Sequence, residues 1–338
     1  MVKILGRGTM STQYLNNYRG VAILLVILSH SASTLDTANA VLINFISPIF
    51  GSGTLFFMLV AGQFFASFSD DYSYKQFLLN KLKFVVAPYV ATSMPAALIY
   101  ICELKTQHEW IDMEWFHGLN PVLGYLYLFV TGGHLGPLWF IPMILFYYLI
   151  SPAFDLLIKR GWLVWAFVLS VVPAVCMGRP HGNSNMFQSA VYFLPPYMLG
   201  MILSGRGDFL KSLVRQPSLG LIVSVGGLLI FGKSLFLGLH WHLPFGLFAA
   251  AMLLNFMQSS LNYKIKLLDL MARLSFFLFF VHGYFVGYFR SVFRKMGVFS
   301  YPDLVVILVF VATLILCLMA YIPLKYKIKG RSRYLIGA

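Results

Sequence analysis

Long apolar runs, separated by short polar and often basic connections, fill most of the chain. A run of about 20 apolar residues is enough to cross a bilayer as a helix. The runs are near-continuous rather than alternating, which excludes a membrane β-barrel. Apolar length places the first span at 19–34. The second, 41–68, contains Pro48, Gly51 and Gly53 and is expected to kink or break. An amphipathic basic segment, 69–83, leads into the third span, 84–101, which carries Pro88 and Pro95. Residues 103–120 are polar and aromatic, with Trp110, Trp115 and Phe116, and suit a stretch lying at the membrane interface. Residues 121–130 are too short to cross. They read as a half-helix passing through Thr131-Gly-Gly-His134 into the fourth span, 135–158. The remaining spans are 162–177, 189–203, 219–237, 243–257, 274–288 and 304–324, with a polar loop at 178–188.

Composition agrees: 59% of the 338 residues are hydrophobic and 11% are charged, against about 25% charged in soluble domains. The expected fold is an all-α integral membrane protein, a bundle of about ten transmembrane helices with broken or re-entrant segments. With no fixed-period repeat and no linker, residues 1–338 form one domain, with a basic N-terminal segment 1–17 and a basic tail 325–338. Segment 1–17 lacks the apolar core of a signal peptide, so the first helix should insert and stay.

The net charge of +14 does not point to nucleic acid, because the cations sit in short loops between apolar helices. With the N-terminus in the cytoplasm, Lys105, Arg179, Lys233, Arg290, Arg294 and Lys295 fall outside, and every other Lys and Arg of the 25 falls inside. That asymmetry predicts a multi-pass protein of the plasma (bacterial inner) membrane with both termini cytoplasmic. Cys102, Cys176 and Cys317 lie in or beside apolar segments without metal-ligand spacing and read as small packing residues. His108, His117, His240 and His242 read as surface histidines, and no metal is predicted.

Candidate chemistry starts in the first span. Arg19 and His30 are eleven residues apart, which on a helix returns them to nearly one face, roughly 16 Å apart along the axis. A cation and an imidazole aligned on a membrane helix must face protein or a wet cavity. The same pair would also fit a headgroup-anchoring arginine and a hydrogen-bonded helix-end histidine. His134 starts a helix on the outer side, and His282 sits mid-span and must find a partner. Trp139, Tyr147 and Tyr148 are able to stack on a sugar or simply to pack. Asp36, six residues beyond His30, would approach it only if the helix end bends.

The chain resembles the acyltransferase family 3 membrane proteins, which acylate cell-surface carbohydrates. The resemblance rests on Tyr18-Arg19 through Ser29-His30, on Leu55-Phe-Phe-Met-Leu-Val-Ala-Gly62-Gln-Phe-Phe65, and on the basic segment leading to Pro88-Tyr89. It continues in Gly136-Pro-Leu-Trp-Phe140 and in the run from Ser275 to His282-Gly-Tyr284. Ala61 stands where the family usually has Ser, and Lys81 and Lys83 stand where it has arginines. Lysine keeps the charge but loses the bidentate fork. The resemblance implies an acyl-CoA-dependent O-acyltransferase that uses acetyl-CoA or a similar donor on a glycan or lipid-linked sugar.

Such chemistry needs a base for the acceptor hydroxyl and a group for the anionic donor. His30 is expected as general base or transient acyl carrier. Arg19 would orient the donor, with Lys81 and Lys83 as further donor contacts. His134, Trp139 and His282 are candidate acceptor contacts. A transporter or flippase for a lipid-linked sugar is the alternative, since broken helices and an Arg–His pair suit it also.

Overall fold

The computed structural model describes residues 13–35, 43, 53–204, 242–297, 301–328 and 337. The expected span 219–237, most of the 41–52 stretch with Pro48 and Gly51, and Asp36, His240 and the basic terminal residues lie outside the described residues. Every regular element among the described residues is helical. The helices are α1 (Gln13–Ala32), α2 (Gly53–Ser67), α3 (Tyr74–Ile101), α4 (Met113–His117), α5 (Pro121–Thr131) and α6 (Phe140–Leu149). They continue as α7 (Ser151–Lys159), α8 (Leu163–Met177), α9 (Met186–Leu203), α10 (His242–Ser260), α11 (Lys266–Met296) and α12 (Pro302–Ile328).

Among the described residues, α3, α9, α11 and α12 are long and apolar enough to cross a membrane singly. The pair α6–α7, bent by 55°, adds a fifth candidate. Helix α12 exposes Leu304, Leu308, Ile315, Met319 and Ile322, an apolar surface suited to lipid.

Helix α1 is the hub and packs against α2, α10, α11 and α12. Its N-terminal end is fixed by polar contacts. Asn17 donates to the carbonyls of Leu261 and Tyr263 (2.7 and 2.9 Å), and the Tyr18 hydroxyl donates to that of Ala250 (3.0 Å). Gly20 lets α1 meet α11 backbone to backbone: a Cβ there would lie 2.4 Å from the Leu268 carbonyl oxygen. The crossing of α2 and α9 is reciprocal. A Cβ on Gly62 would lie 1.9 Å from the Tyr197 oxygen, and one on Gly200 would lie 1.9 Å from that of Leu59.

The basic segment and the third span are one helix, not an amphipathic stretch followed by a separate span. A π-turn over Leu82–Val86 joins them. Proline removes a backbone donor and crowds the carbonyl four residues earlier, and the wider turn precedes Pro88. At Pro95 the Tyr284 hydroxyl enters the opened ladder, accepting from Ala96 N (3.2 Å) and donating to the Thr92 carbonyl. The expected fourth span also differs: it starts at Phe140 and bends before Pro152. Pro152 has no N–H to offer Tyr148, and the Ser151 hydroxyl donates to that carbonyl instead, at 2.7 Å.

Candidate active site

Helices α1 and α11 run side by side in the same direction, so each end of α1 faces a different group on α11. At the N-terminal end Arg19 donates to the carbonyl of Ala272 and to Ser275 Oγ (2.9 Å). It reaches a cavity of about 520 Å³ whose polar lining includes Ser73, Gln76, Asn80 and Lys81. That size lies within the range of roughly 300–1,000 Å³ common for small-molecule sites. Lys81 lines the cavity with its ammonium 4.5 Å from the Tyr148 ring centroid and 4.9 Å from that of Phe77. Lys83 is exposed, over Phe84, and does not join this lining.

The cavity ends against aromatic rings. Phe57, Phe140 and Phe279 all line it. Phe279 packs edge-on at 6.5 Å from Phe57 and 5.5 Å from Phe140. Its ring also lies 6.1 Å from that of His282, so these phenylalanines form a partition with imidazole on the far side.

Beyond the partition, the His30 and His282 rings lie 5.3 Å apart, centroid to centroid. His282 is fully buried, and its Nδ1–H donates to the Leu278 carbonyl at 2.7 Å. That assignment leaves Nε2 as an acceptor, and it has no hydrogen-bond partner among the described residues. His30 is partly exposed beside His282. Arg290 donates to Ser33 Oγ (2.7 Å), which donates to the His30 carbonyl (2.7 Å), securing the end of α1.

Arg179, from the polar loop after α8, also acts electrostatically on His30, as does Arg290. Its guanidinium lies over the rings of Trp139 and Phe193, 5.3 and 5.6 Å from their centroids. Although the residue as a whole is exposed, desolvation of its guanidinium lowers its pKa, opposed by Tyr192, and an arginine stays charged at neutral pH. Nothing in the local sequence distinguishes Arg179 from an ordinary loop cation; only the tertiary fold brings it over Trp139 and Phe193.

The remaining residues divide clearly. Trp139 is nearly buried beneath Arg179 and beside Phe193. His134 is buried against Tyr89, with Nδ1 3.0 Å from the Leu128 carbonyl at the end of α5. There Gly132, at φ +67°, turns the chain where any Cβ would strike Leu138 and Trp139. Gly283, next to His282, gives room for Pro137 and Leu135, so the Gly136–Phe140 motif and the late histidine motif meet in space. His108 is not a surface histidine: Nε2 bonds the Gly133 carbonyl at 2.9 Å, and burial lowers its pKa against that bond. Cys102 and Cys176 are exposed and only Cys317 is buried, which corrects their reading as packing residues.

An all-helical membrane protein with a largely apolar cavity beside Arg19 and a histidine pair behind aromatic rings defines the class. The family model described as "Acyltransferase domain" matches residues 12–322, from the start of α1 into α12, and the chain belongs to that acyltransferase family 3. This decides for a membrane-associated acyltransferase over the transporter that the sequence left open. No curated protein and no solved structure matches the chain significantly.

Proposed function

We propose that the chain is an integral membrane O-acyltransferase that takes an acyl group, in the simplest case acetyl, from cytoplasmic acyl-CoA. The acceptor is a hydroxyl of a surface glycan or lipid-linked sugar. The carrying observation is α1 itself, which offers Arg19 to the cavity and sets His30 against His282. Their separation of roughly 16 Å suits a long donor held at its anionic end and reacting at its thioester. The cation asymmetry supports about ten crossings, both termini cytoplasmic and the bacterial inner membrane as location.

In the transfer, the imidazole of His30 takes the acceptor hydroxyl proton as that oxygen attacks the thioester carbonyl. The carbon–sulfur bond breaks, and the CoA thiolate leaves and regains a proton from the imidazolium. Arg19 and Lys81 hold donor phosphate, with Lys83 at the approach. His282 packs against His30 and fixes its ring. The phenylalanine partition keeps water from the thioester. In membrane vesicles containing the full chain, label from [¹⁴C]acetyl-CoA should pass to glycan or lipid-linked sugar. Absence of labelled product with wild-type chain, across acetyl-, propionyl- and butyryl-CoA, would refute the proposal.

A further inference from the structure

The cavity beside Arg19 has two unlike walls. Helix α2 lines it with Phe57, Val60, Ala61, Phe64, Phe65 and Phe68. Their alternating steps of three and one place them on one face of the helix. From Phe57 to Phe68 this apolar wall runs for about 16 Å. Phe140 and Ile144 of α6 and Phe279 of α11 add to it. The polar lining stands apart from α2. Asp71, Ser73, Gln76, Asn80 and Lys81 belong to α3 and the turn before it, and Arg19 bonds Ser275 at 2.9 Å. Those side chains suit the phosphates and amides of a CoA donor. An acetyl group adds one methyl beyond its carbonyl, about 1.5 Å, and covers little of the other wall. Water gains nothing against such a wall, and an apolar cavity is filled best by an apolar ligand.

We infer that the α2 face holds the acyl chain of the donor, and that this chain is longer than acetyl. The inference rests on the acyl-CoA reading and narrows its donor to medium-chain acyl groups. With the thioester at the phenylalanine partition, the chain lies back along α2 toward Phe68, which is exposed. Ala61 is the smallest side chain on that face and stands one turn from Phe57, about 6 Å along the axis. A butyryl chain ends short of it. A hexanoyl chain must pass it, so Ala61 leaves the room on which chain length depends.

The test is equilibrium binding of acetyl-, butyryl-, hexanoyl- and octanoyl-CoA to the detergent-solubilised full chain, with CoA as the common reference. A fully buried methylene tightens binding about fourfold, so hexanoyl-CoA should bind at least about tenfold tighter than acetyl-CoA. In Ala61→Phe the hexanoyl-to-acetyl ratio should fall to about twofold or less as those methylenes lose their wall, and the butyryl-to-acetyl ratio should change less. Ala61→Leu should move the ratio in the same direction, so a folding defect in one variant does not decide the outcome. Detergent attracts longer chains without the protein, and that gain is common to wild type and variants. An unchanged ratio in both variants would therefore overturn the assignment to α2. Affinity independent of chain length, with acetyl transfer intact, would overturn the inference and leave the acyltransferase reading standing. No binding of CoA or of any acyl-CoA would remove the donor reading and the inference with it.

Discussion

Arg19 and His30 lie on one helix, yet their surroundings differ in kind. Around Arg19 the wall is open and mixed: polar side chains, a lysine against two rings, and a cavity large enough for part of a nucleotide thioester. Around His30 stand a second imidazole, the far side of a phenylalanine partition, and Ser33, which Arg290 holds against the His30 carbonyl. Binding energy is gathered best where a ligand finds many contacts. Proton transfer is controlled best where few groups and little water intrude. On the function proposed above, the contrast teaches that α1 divides labour along its length, with the donor at one end and the reaction at the other.

The most damaging change would strike both regions together. Gly200→Ala drives a Cβ into the Leu59 carbonyl at the α2–α9 crossing, and α2 carries Phe57 while α9 carries Tyr197. Overpacking typically costs about 1–3 kcal/mol. A backbone clash that no side chain relieves belongs at the upper end. Folded protein recovered in detergent, measured by size-exclusion chromatography, should fall several-fold, and normal recovery would show that the helices separate freely.

His30→Gln should spare folding and lose nearly as much transfer as outright removal, about a hundredfold or more, because it keeps hydrogen bonding without basicity. Full activity in this variant would assign His30 a purely structural part. Arg19→Lys should act on the other side of the comparison. It loses the planar guanidinium, one nitrogen of which donates to both Ala272 and Ser275, so the acyl-CoA KM should rise about tenfold while kcat changes less. An unchanged KM with a reduced kcat would place Arg19 in the chemistry rather than in donor binding.

The smallest effect is expected from thinning the partition. Phe279→Leu keeps an apolar side chain, at a cost of about 1.5 kcal/mol or less, but removes the ring that faces both the cavity and His282. Hydrolysis of acyl-CoA without acceptor should rise a few-fold relative to transfer. An unchanged ratio would mean that the ring does not exclude water.

The alignment of Arg19 with His30 was legible because helical periodicity depends only on local spacing. So were the apolar segments that became α8, α9 and α12, whose lengths declare themselves. The His30–His282 contact was not, because the two residues lie on separate helices whose approach depends on Gly20 meeting Leu268. Arg179 reads as a loop cation in sequence, and its place over Trp139 depends on how two distant connections fold together. The boundary at Phe84 was misplaced because lysines usually mark a membrane edge. Here Lys81 turns inward against Tyr148 and the helix continues through a π-turn.

Donor binding and acyl transfer measured side by side on His30→Ala test the central division most directly. Acetyl-CoA binding to the inserted variant should stay within about twofold of wild type, since the lost group touches only the reaction. Transfer per molecule of inserted protein should fall at least about a hundredfold. Near-normal transfer per molecule in His30→Ala would contradict the account.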